Sequence, residues 1–169
     1  MRVFALWLLA LLALPAAATA QQKTLQDPLL DRMVGHWVLE GTIAHKAVVH
    51  DVTAAWVIQH QYLKIDEVSR TRNAEGRPDY QATVYIGWYE PEHHYACVWL
   101  DVYGGMAPES LGTAPPSGDS IRFVFRNHDG TILRTVMRWN AADRRWSWTI
   151  DQGPEDKLSN FARVILRRP

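Results

Sequence analysis

Two polar residues, His50 and Glu67, stand in stretches of sequence that are otherwise apolar at every second position. If Gln59 and His60 form a two-residue turn between two strands, Val52 pairs with Glu67 and His50 lies diagonal to Glu67 on the same face. A carboxylate beside an imidazole can orient a bound molecule or take part in acid–base chemistry. The alternative is that both side chains lie at the rim of the fold and are hydrated, because glutamate is seldom buried without a partner.

A second group of residues is suited to holding an apolar or aromatic molecule, because alternation places large side chains together on one face of several strands. The same side chains could equally form a filled core, and both interpretations stay open at this point. The residues of this face are Trp56, Phe123, Phe125, Met137, Trp146 and Trp148, and Trp99 and Asp101 complete the candidate ligand-binding set with His50 and Glu67.

Other common site chemistries have little support in the sequence. The seven histidines show no metal-ligand spacing, so we expect neither a metal nor a cofactor. No serine has the Gly-x-Ser-x-Gly setting of a hydrolase. His94 lies near the single cysteine, Cys97, but alternation puts the two on opposite faces of a strand, which favours a buried inert thiol. No catalytic residue is predicted, and enzymatic activity stays undecided.

From Gly35 onward, the apolar residues recur with period two and turn residues follow at regular intervals. This pattern predicts short strands, and these strands position the candidate residues. Before them, Asp27 and Pro28 predict a short helix over Pro28–Met33. The predicted strands are His36–Ala44, Val48–Ile58, Gln61–Arg70, Gln81–Tyr89, His94–Val102, Glu109–Ala114, Ser120–Asn127, Thr131–Trp139, Arg144–Asp151 and Asn160–Arg167. The sequence therefore predicts an all-β protein, an antiparallel up-and-down barrel of about ten strands.

Turn residues also predict the pairing register of several hairpins. The loop His128–Gly130 places Phe125 opposite Leu133, Phe123 opposite Thr135 and Ile121 opposite Met137. The turn from Asn140 to Asp143 places Met137 opposite Trp146 and Thr135 opposite Trp148. Around Glu90–His93, Trp88 pairs with Tyr95, Ile86 with Cys97, Val84 with Trp99 and Ala82 with Asp101. Which face of this last pair of strands points inward is left open.

The beginning of the chain has the three-part plan of a cleaved secretory signal peptide. Arg2 precedes an apolar run, Val3–Leu14, and the small residues Ala16–Ala20 follow. The run is too short to cross a bilayer. We therefore expect residues 1–20 to be removed and residues 21–169 to form one domain that is periplasmic or secreted.

Composition limits the partners and the stabilising chemistry. One cysteine excludes an internal disulfide, and no cysteine lies at the cleavage site to carry a lipid anchor. A net charge of zero argues against a nucleic-acid partner, which would need a concentrated basic face. The oligomeric state is not indicated by the sequence.

The segment Gly35-His36-Trp37 opens the first strand directly after the short helix, and the segment Phe161–Arg168 lies at the end of the sequence. This arrangement resembles the calycin superfamily, which includes the lipocalins, where a Gly-x-Trp near the start packs its indole beneath an arginine of the last strand. The resemblance implies that Gly35 and Trp37 form the barrel floor with Arg163 or Arg167, in a structural cation–π contact.

Three more segments, Ile86–Tyr89, Trp99–Asp101 and Arg134–Trp139, are similar to an uncharacterised family of exported bacterial lipocalin-like domains. The resemblance implies a fold and no established activity. One hypothesis is a non-enzymatic carrier or sensor that holds a small hydrophobic or aromatic molecule in the barrel. Another is an envelope protein with a filled barrel that contacts a partner through outer aromatic residues such as Tyr85 and Tyr89.

A haem-dependent activity is a further alternative, because the Gly-x-Trp start also resembles that of the nitrobindins. Those proteins take their iron ligand from a histidine near the chain end, whereas the last histidine here is His128 and the final strand has none. The departure makes haem the weaker hypothesis.

Two segments rich in glycine and proline, Gly104–Pro108 and Ala114–Gly118, flank the short sixth strand. They could form a lid over the mouth of the barrel or an ordinary surface hairpin, and the second interpretation is favoured.

Overall fold

The computed structural model describes residues 24–104 and 108–169. The predicted signal peptide, Met1–Ala20, lies outside this range, as do three residues of the predicted lid segment. Among the described residues, no helix has the length and hydropathy that crossing a membrane requires.

Helix α1 (Pro28–Asp31) begins where the sequence predicts and is shorter than expected. The Asp27 carboxylate caps it by accepting hydrogen bonds from the backbone N–H groups of Leu29 and Leu30, each at 2.9 Å. Both leucines are buried, so the helix packs its apolar side against one end of the barrel.

Eleven strands follow the helix: β1 (Gly35–Ile43), β2 (Lys46–Val57), β3 (Tyr62–Ser69), β4 (Gln81–Tyr89), β5 (His94–Asp101), β6 (Leu111–Ala114), β7 (Pro116–Ser117), β8 (Ser120–Arg126), β9 (Ile132–Asn140), β10 (Arg145–Gly153) and β11 (Ser159–Arg167). Consecutive strands pair from β1 to β6 and from β7 to β11, β1 pairs with β11, and β6 pairs with β8 rather than with β7. A closed antiparallel barrel of ten strands results, with β7 as an extra two-residue strand. The predicted all-β barrel is confirmed.

Most of the predicted registers are confirmed. Val52 pairs with Glu67 and Phe123 with Thr135, as the turn residues predict. The turn between β2 and β3 is longer than predicted, however, because Ile58, Gln59 and His60 all adopt left-handed conformations.

The predicted register of β9 and β10 is wrong by two residues. Met137 lies opposite Trp148 rather than Trp146, and Trp146 lies opposite Trp139. The connecting turn includes Arg144, which adopts a left-handed conformation at φ 49°, and Arg145 is the first paired residue. Because the shift is by two residues, every side chain keeps its predicted face.

The face of β4 and β5 that the sequence left open is settled by burial. Ala82, Val84 and Ile86 are almost fully buried and face the barrel interior, opposite Asp101, Trp99 and Cys97 respectively.

The barrel floor has the predicted architecture with a different arginine. The guanidinium of Arg168 lies over the Trp37 ring, 3.7 Å from its centroid, and donates to the backbone carbonyls of Val34 and His36. The indole N–H of Trp37 donates to the Met33 carbonyl at 2.6 Å. A side chain at Gly35 would collide with the Arg168 guanidinium, which explains the glycine.

The expectation that Arg163 or Arg167 caps Trp37 is therefore wrong. Strand alternation turns both outward, where Arg167 lies 3.8 Å from Glu40 and Arg163 donates to Asp151 at 3.0 Å. Burial by itself raises the pKa of Asp151, but hydrogen bonds from Arg163 and Arg134 hold that pKa below its ordinary value. Both arginines therefore form ion pairs on the outer surface of the barrel.

Of the two predicted lid segments, Gly104–Pro108 lies mostly outside the described residues, whereas Ala114–Gly118 is described in full. Pro116 and Ser117 pair with Ile121 and Ser120 in a short hairpin at the end that carries helix α1. Ala114–Gly118 is therefore an ordinary surface hairpin.

Candidate functional site

The two ends of the barrel differ in chemistry. The floor is closed by helix α1 and the Trp37–Arg168 contact. The opposite end, where β3 ends at Ser69 and β4 begins at Gln81, we call the upper end. Most of the buried polar side chains that face the barrel interior lie in this upper half, and they form the candidate site.

His50 and Glu67 are hydrogen-bonded inside the upper end. The imidazole Nδ1 lies 2.5 Å from Glu67 Oε1, and the two side chains are 3% and 4% exposed. The alternative in which both are hydrated at the rim is therefore wrong. When Nδ1 carries the proton that Glu67 accepts, the ring nitrogen Nε2 is left to interact with something else.

Tyr80 extends this pair into a polar chain across the upper end. Its ring is stacked on His50, with centroids 5.7 Å apart. Its hydroxyl accepts a hydrogen bond from the Trp99 indole at 3.0 Å and lies 3.5 Å from Asp101 Oδ2. Burial and then the nearby charge of Glu67 raise the pKa of Tyr80, so the phenol stays protonated at neutral pH.

Sequence analysis did not identify Tyr80 as a site residue, although a signal was present. Tyr80 directly precedes β4, and alternation from Ala82 and Val84 carries it inward. The segment before Tyr80 is rich in turn residues, so the alternation that places Tyr80 on the inner face is not evident from the sequence.

Two further buried polar atoms, Trp148 Nε1 and Thr135 Oγ1, have no hydrogen-bond partner among the described residues. Both side chains point inward, and Thr135 is the diagonal neighbour of Trp148 across β9 and β10. The Trp148 ring meets the Trp99 ring edge to face, with centroids 6.3 Å apart. Native proteins satisfy most buried polar groups, so two unpaired ones on neighbouring strands require an explanation.

Replacing Thr135 with valine, which has the same shape, should stabilise the protein by about 1 kcal/mol. The hydroxyl is fully buried and unpaired, so a methyl group in its place removes a desolvation cost and leaves no cavity. Urea unfolding measures the difference. Thr113→Val, on an exposed position of β6, is the control and should change the stability little. A loss of more than about 1 kcal/mol in Thr135→Val would mean that the hydroxyl has a partner.

Not all the predicted ligand-binding residues reach this site. His50, Glu67, Trp99, Asp101 and Trp148 lie together in the upper half of the barrel. Phe123 and Met137 are fully buried in its middle.

Trp56 and Trp146 lie at the floor instead. Trp56 donates to Asp31 at 2.8 Å and stacks on His60, and the Trp146 indole N–H lies 3.5 Å from the Arg32 carbonyl. Trp56 is six residues from His50 along β2, and Trp146 is two residues from Trp148 along β10, so alternation alone does not show which end each one reaches.

The barrel interior is a filled aromatic core rather than a cavity. Its largest members, such as Phe123, Trp146 and Trp148, are at most 2% exposed. Two depressions on the described surface, of about 610 and 310 Å³, border Asp27 and Tyr95 at the floor and lie outside this core. Of the two interpretations of the aromatic face, the filled core is the one the geometry supports.

Cys97 faces the core and is 1% exposed. Burial raises the pKa of its thiol, so it stays protonated and unreactive. His94 is on the other face of β5, as predicted.

Known proteins resemble this protein in fold, and the resemblance indicates no function. The sequence matches no known family profile, and no curated protein is a recognisable relative. The crystal structure of Rv2717c from M. tuberculosis is similar in fold, with a TM-score of 0.52 and 17% sequence identity, over 85% of this chain and 98% of that chain. At this identity the likeness supports the barrel architecture alone.

Proposed function

We propose that this protein binds a small molecule at the upper end of its barrel, as a carrier or sensor without catalysis. The ligand has an apolar or aromatic body and a polar group that meets His50. The observation that carries the proposal is the buried pair of His50 and Glu67, joined at 2.5 Å in a mostly apolar interior.

Such a buried pair contributes little net free energy to folding. Removing an imidazole and a carboxylate from water costs more than their attraction commonly returns, and apolar residues of the same volume often stabilise a fold as well or better. Polar groups in perturbed surroundings therefore concentrate at functional sites.

The surroundings fit an apolar ligand body beside this polar group. Ile43, Val48 and Leu133 lie on inward positions near the upper ends of their strands and are only partly buried against the core. Trp99 adds an aromatic face. A ligand at the upper end would therefore cover apolar side chains that are otherwise incompletely packed.

We further infer that the protein is exported and is related to the lipocalin-like domains it resembles. The sequence of residues 1–20 supports export, and the closed barrel with an arginine stacked over Trp37 supports the relationship.

A second candidate function is an interaction module with a filled barrel, favoured by the close packing of the core. Ile58, Tyr62 and Tyr89 are 66%, 42% and 46% exposed, on the β2–β3 turn and the adjoining ends of β3 and β4. They would be the contact surface for a partner protein.

Native mass spectrometry of the protein purified from its own cell envelope tests the first candidate. We expect a discrete added mass on the wild type that is lost in His50→Gln. The control is His36→Gln, because His36 is exposed on the neighbouring strand and should not affect binding. A bare polypeptide, repeated after mixing with lipids and haem, would reject the carrier and favour the interaction module. A haem adduct that depends on His50 would instead favour the nitrobindin-like activity.

A further inference from the structure

The larger depression at the floor of the barrel, of about 610 Å³, has walls of aromatic rings and carboxylates. We call it the floor groove. Its aromatic lining residues are Tyr62, Trp88 and Tyr95, and its carboxylates are those of Asp27 and Glu90. Ligand-binding clefts have volumes of roughly 300 to 1,000 Å³, so the groove has room for a small molecule. It lies at the opposite end of the barrel from the upper end and is a separate site.

Trp88 and Tyr95 form an aromatic corner in the floor groove. Their ring centroids are 5.2 Å apart, and the ring planes meet at 78°. Trp88 is only partly buried against the core, so part of its ring surface stays uncovered. Tyr62, which is 42% exposed, lies over Gly87, where a Cβ would come within 2.8 Å of the Tyr62 ring. Gly87 therefore lets a third ring approach the strand that carries Trp88.

The charge of the floor groove is negative. Asp27 and Glu90 contribute carboxylates, and none of the described residues that line the groove is basic. A basic side chain does lie close by: the His93 ring centroid is 6.4 Å from that of Trp88, but His93 is exposed, and solvent screens its charge. A cation in the groove would be attracted by the ring faces and by the carboxylates together.

Hydrogen bonds within the protein already occupy most of the carboxylate oxygens. Asp27 Oδ1 accepts from the backbone N–H groups of two helix residues, and Asp27 Oδ2 accepts from the Tyr95 hydroxyl at 2.5 Å. Glu90 Oε2 accepts from the Trp88 indole N–H at 2.5 Å. A primary ammonium group has several N–H donors that need acceptors, whereas a quaternary ammonium group has none and is held by ring faces and charge. The groove therefore suits the quaternary ion better.

We propose that the floor groove binds a small organic cation that carries a quaternary ammonium group. The ammonium group lies against the rings of Trp88 and Tyr95. Glu90 and Asp27 supply the opposite charge. This site goes beyond the proposed function and does not depend on it.

Choline and 3,3-dimethylbutan-1-ol test the inference, because they have the same shape and only choline is charged. Binding is followed by the indole N–H resonances in proton–nitrogen NMR spectra, with the Trp88 signal identified by its absence in Trp88→Phe. We expect choline to shift the Trp88 resonance and to bind about tenfold more tightly than the neutral alcohol, the factor expected for a cation–π contact near a carboxylate. Ethanolamine, a primary ammonium ion, and phosphocholine, whose phosphate would meet the carboxylates, should both bind more weakly than choline.

Two variants on one turn separate the charge from the packing. In Glu90→Gln the amide oxygen can still accept from the indole N–H, so the Trp88 ring keeps its place while the charge is lost. Choline should bind this variant about threefold more weakly, and the neutral alcohol should bind it as it binds the wild type. Glu92→Gln is the control, because Glu92 is exposed on the same turn and does not line the groove. It should leave both affinities nearly unchanged.

Trp88→Leu removes the ring face and should weaken choline binding about tenfold. Glu90→Gln keeps the test available if this variant does not fold, because Glu90 is exposed.

Equal affinities for choline and the neutral alcohol would reject the inference, as would choline binding that leaves the Trp88 resonance in place or is unchanged in Glu90→Gln. Tighter binding of phosphocholine than of choline would identify a lipid headgroup as the ligand and contradict a free cation. His50→Gln should bind choline as the wild type does. Loss of choline binding and loss of the upper-end ligand can therefore be told apart, and the failure of either proposal leaves the other standing.

Discussion

Replacing Glu67 alone with methionine is expected to destabilise the protein by about 3 kcal/mol, because it leaves the His50 imidazole buried without a partner. The double variant, with His50→Leu added, should recover most of this loss, since an apolar pair of similar volume needs no hydrogen bond. Urea unfolding of the two single variants and the double variant measures the interaction as a double-mutant cycle.

Glu75→Met provides the matched control for this cycle. Glu75 pairs with Arg77 on the exposed β3–β4 connection, where removing an ion pair should change the stability by less than about 1 kcal/mol. If Glu67→Met costs no more than Glu75→Met, the pair is solvated and the observation that carries the proposed function is lost. If the double variant is as stable as the wild type yet loses its ligand, His50 and Glu67 are retained for binding rather than for folding.

Gly41→Ala is expected to destabilise the protein by about 4 kcal/mol, or to prevent folding. The added methyl group would lie between β1 and β11, the first and last strands, whose pairing closes the barrel and is called the β1–β11 seam. Gly41 has a φ of 153° and lies opposite Val164. A Cβ at Gly41 would collide with the backbone oxygen of Arg163 and would lie 2.8 Å from Val164 Cα. Backbone atoms cannot rotate away as a side chain can, so β1 and β11 would have to separate.

Gly76→Ala is the control for Gly41→Ala. Gly76 also has a positive φ, of 76°, but a Cβ there has nothing within 4 Å. The substitution should therefore cost only the conformational strain, about 1 kcal/mol. Equal thermal unfolding midpoints for the two variants would show that the β1–β11 seam tolerates a side chain and that the close approach is not needed for closure.

Much of the fold could be predicted because its determinants are local. The loop His128–Gly130 has glycine at the position that requires φ 83°, and this fixes the pairing of Phe125 with Leu133. The turn after Asn140 has no such glycine, because Arg144 takes the left-handed position, and the register predicted there was wrong. Turn chemistry thus predicts registers where the strained position carries its usual residue.

The candidate site could be predicted only in part. His50 and Glu67 follow from one hairpin, because strand pairing across a short turn brings them to one face. Trp99 and Trp148 come from strands that are distant in sequence, and their contact depends on closure of the barrel. The resemblance predicts an arginine of β11 over Trp37, but alternation turns Arg167 outward, and Arg168, which follows the end of that strand, lies over the ring.

The sequence by itself determined the barrel class, most strand positions and which side chains face inward, because period-two alternation and turn residues act within a few residues of each other. The tertiary structure alone decided whether the barrel is hollow, which inward residues share an end, and which polar atoms lack a partner. These properties depend on the volume enclosed by ten strands and on contacts between distant residues. Trp146 and Trp148 show the difference: they are two positions apart on one face of β10, yet one donates at the floor and the other is left unpaired in the interior.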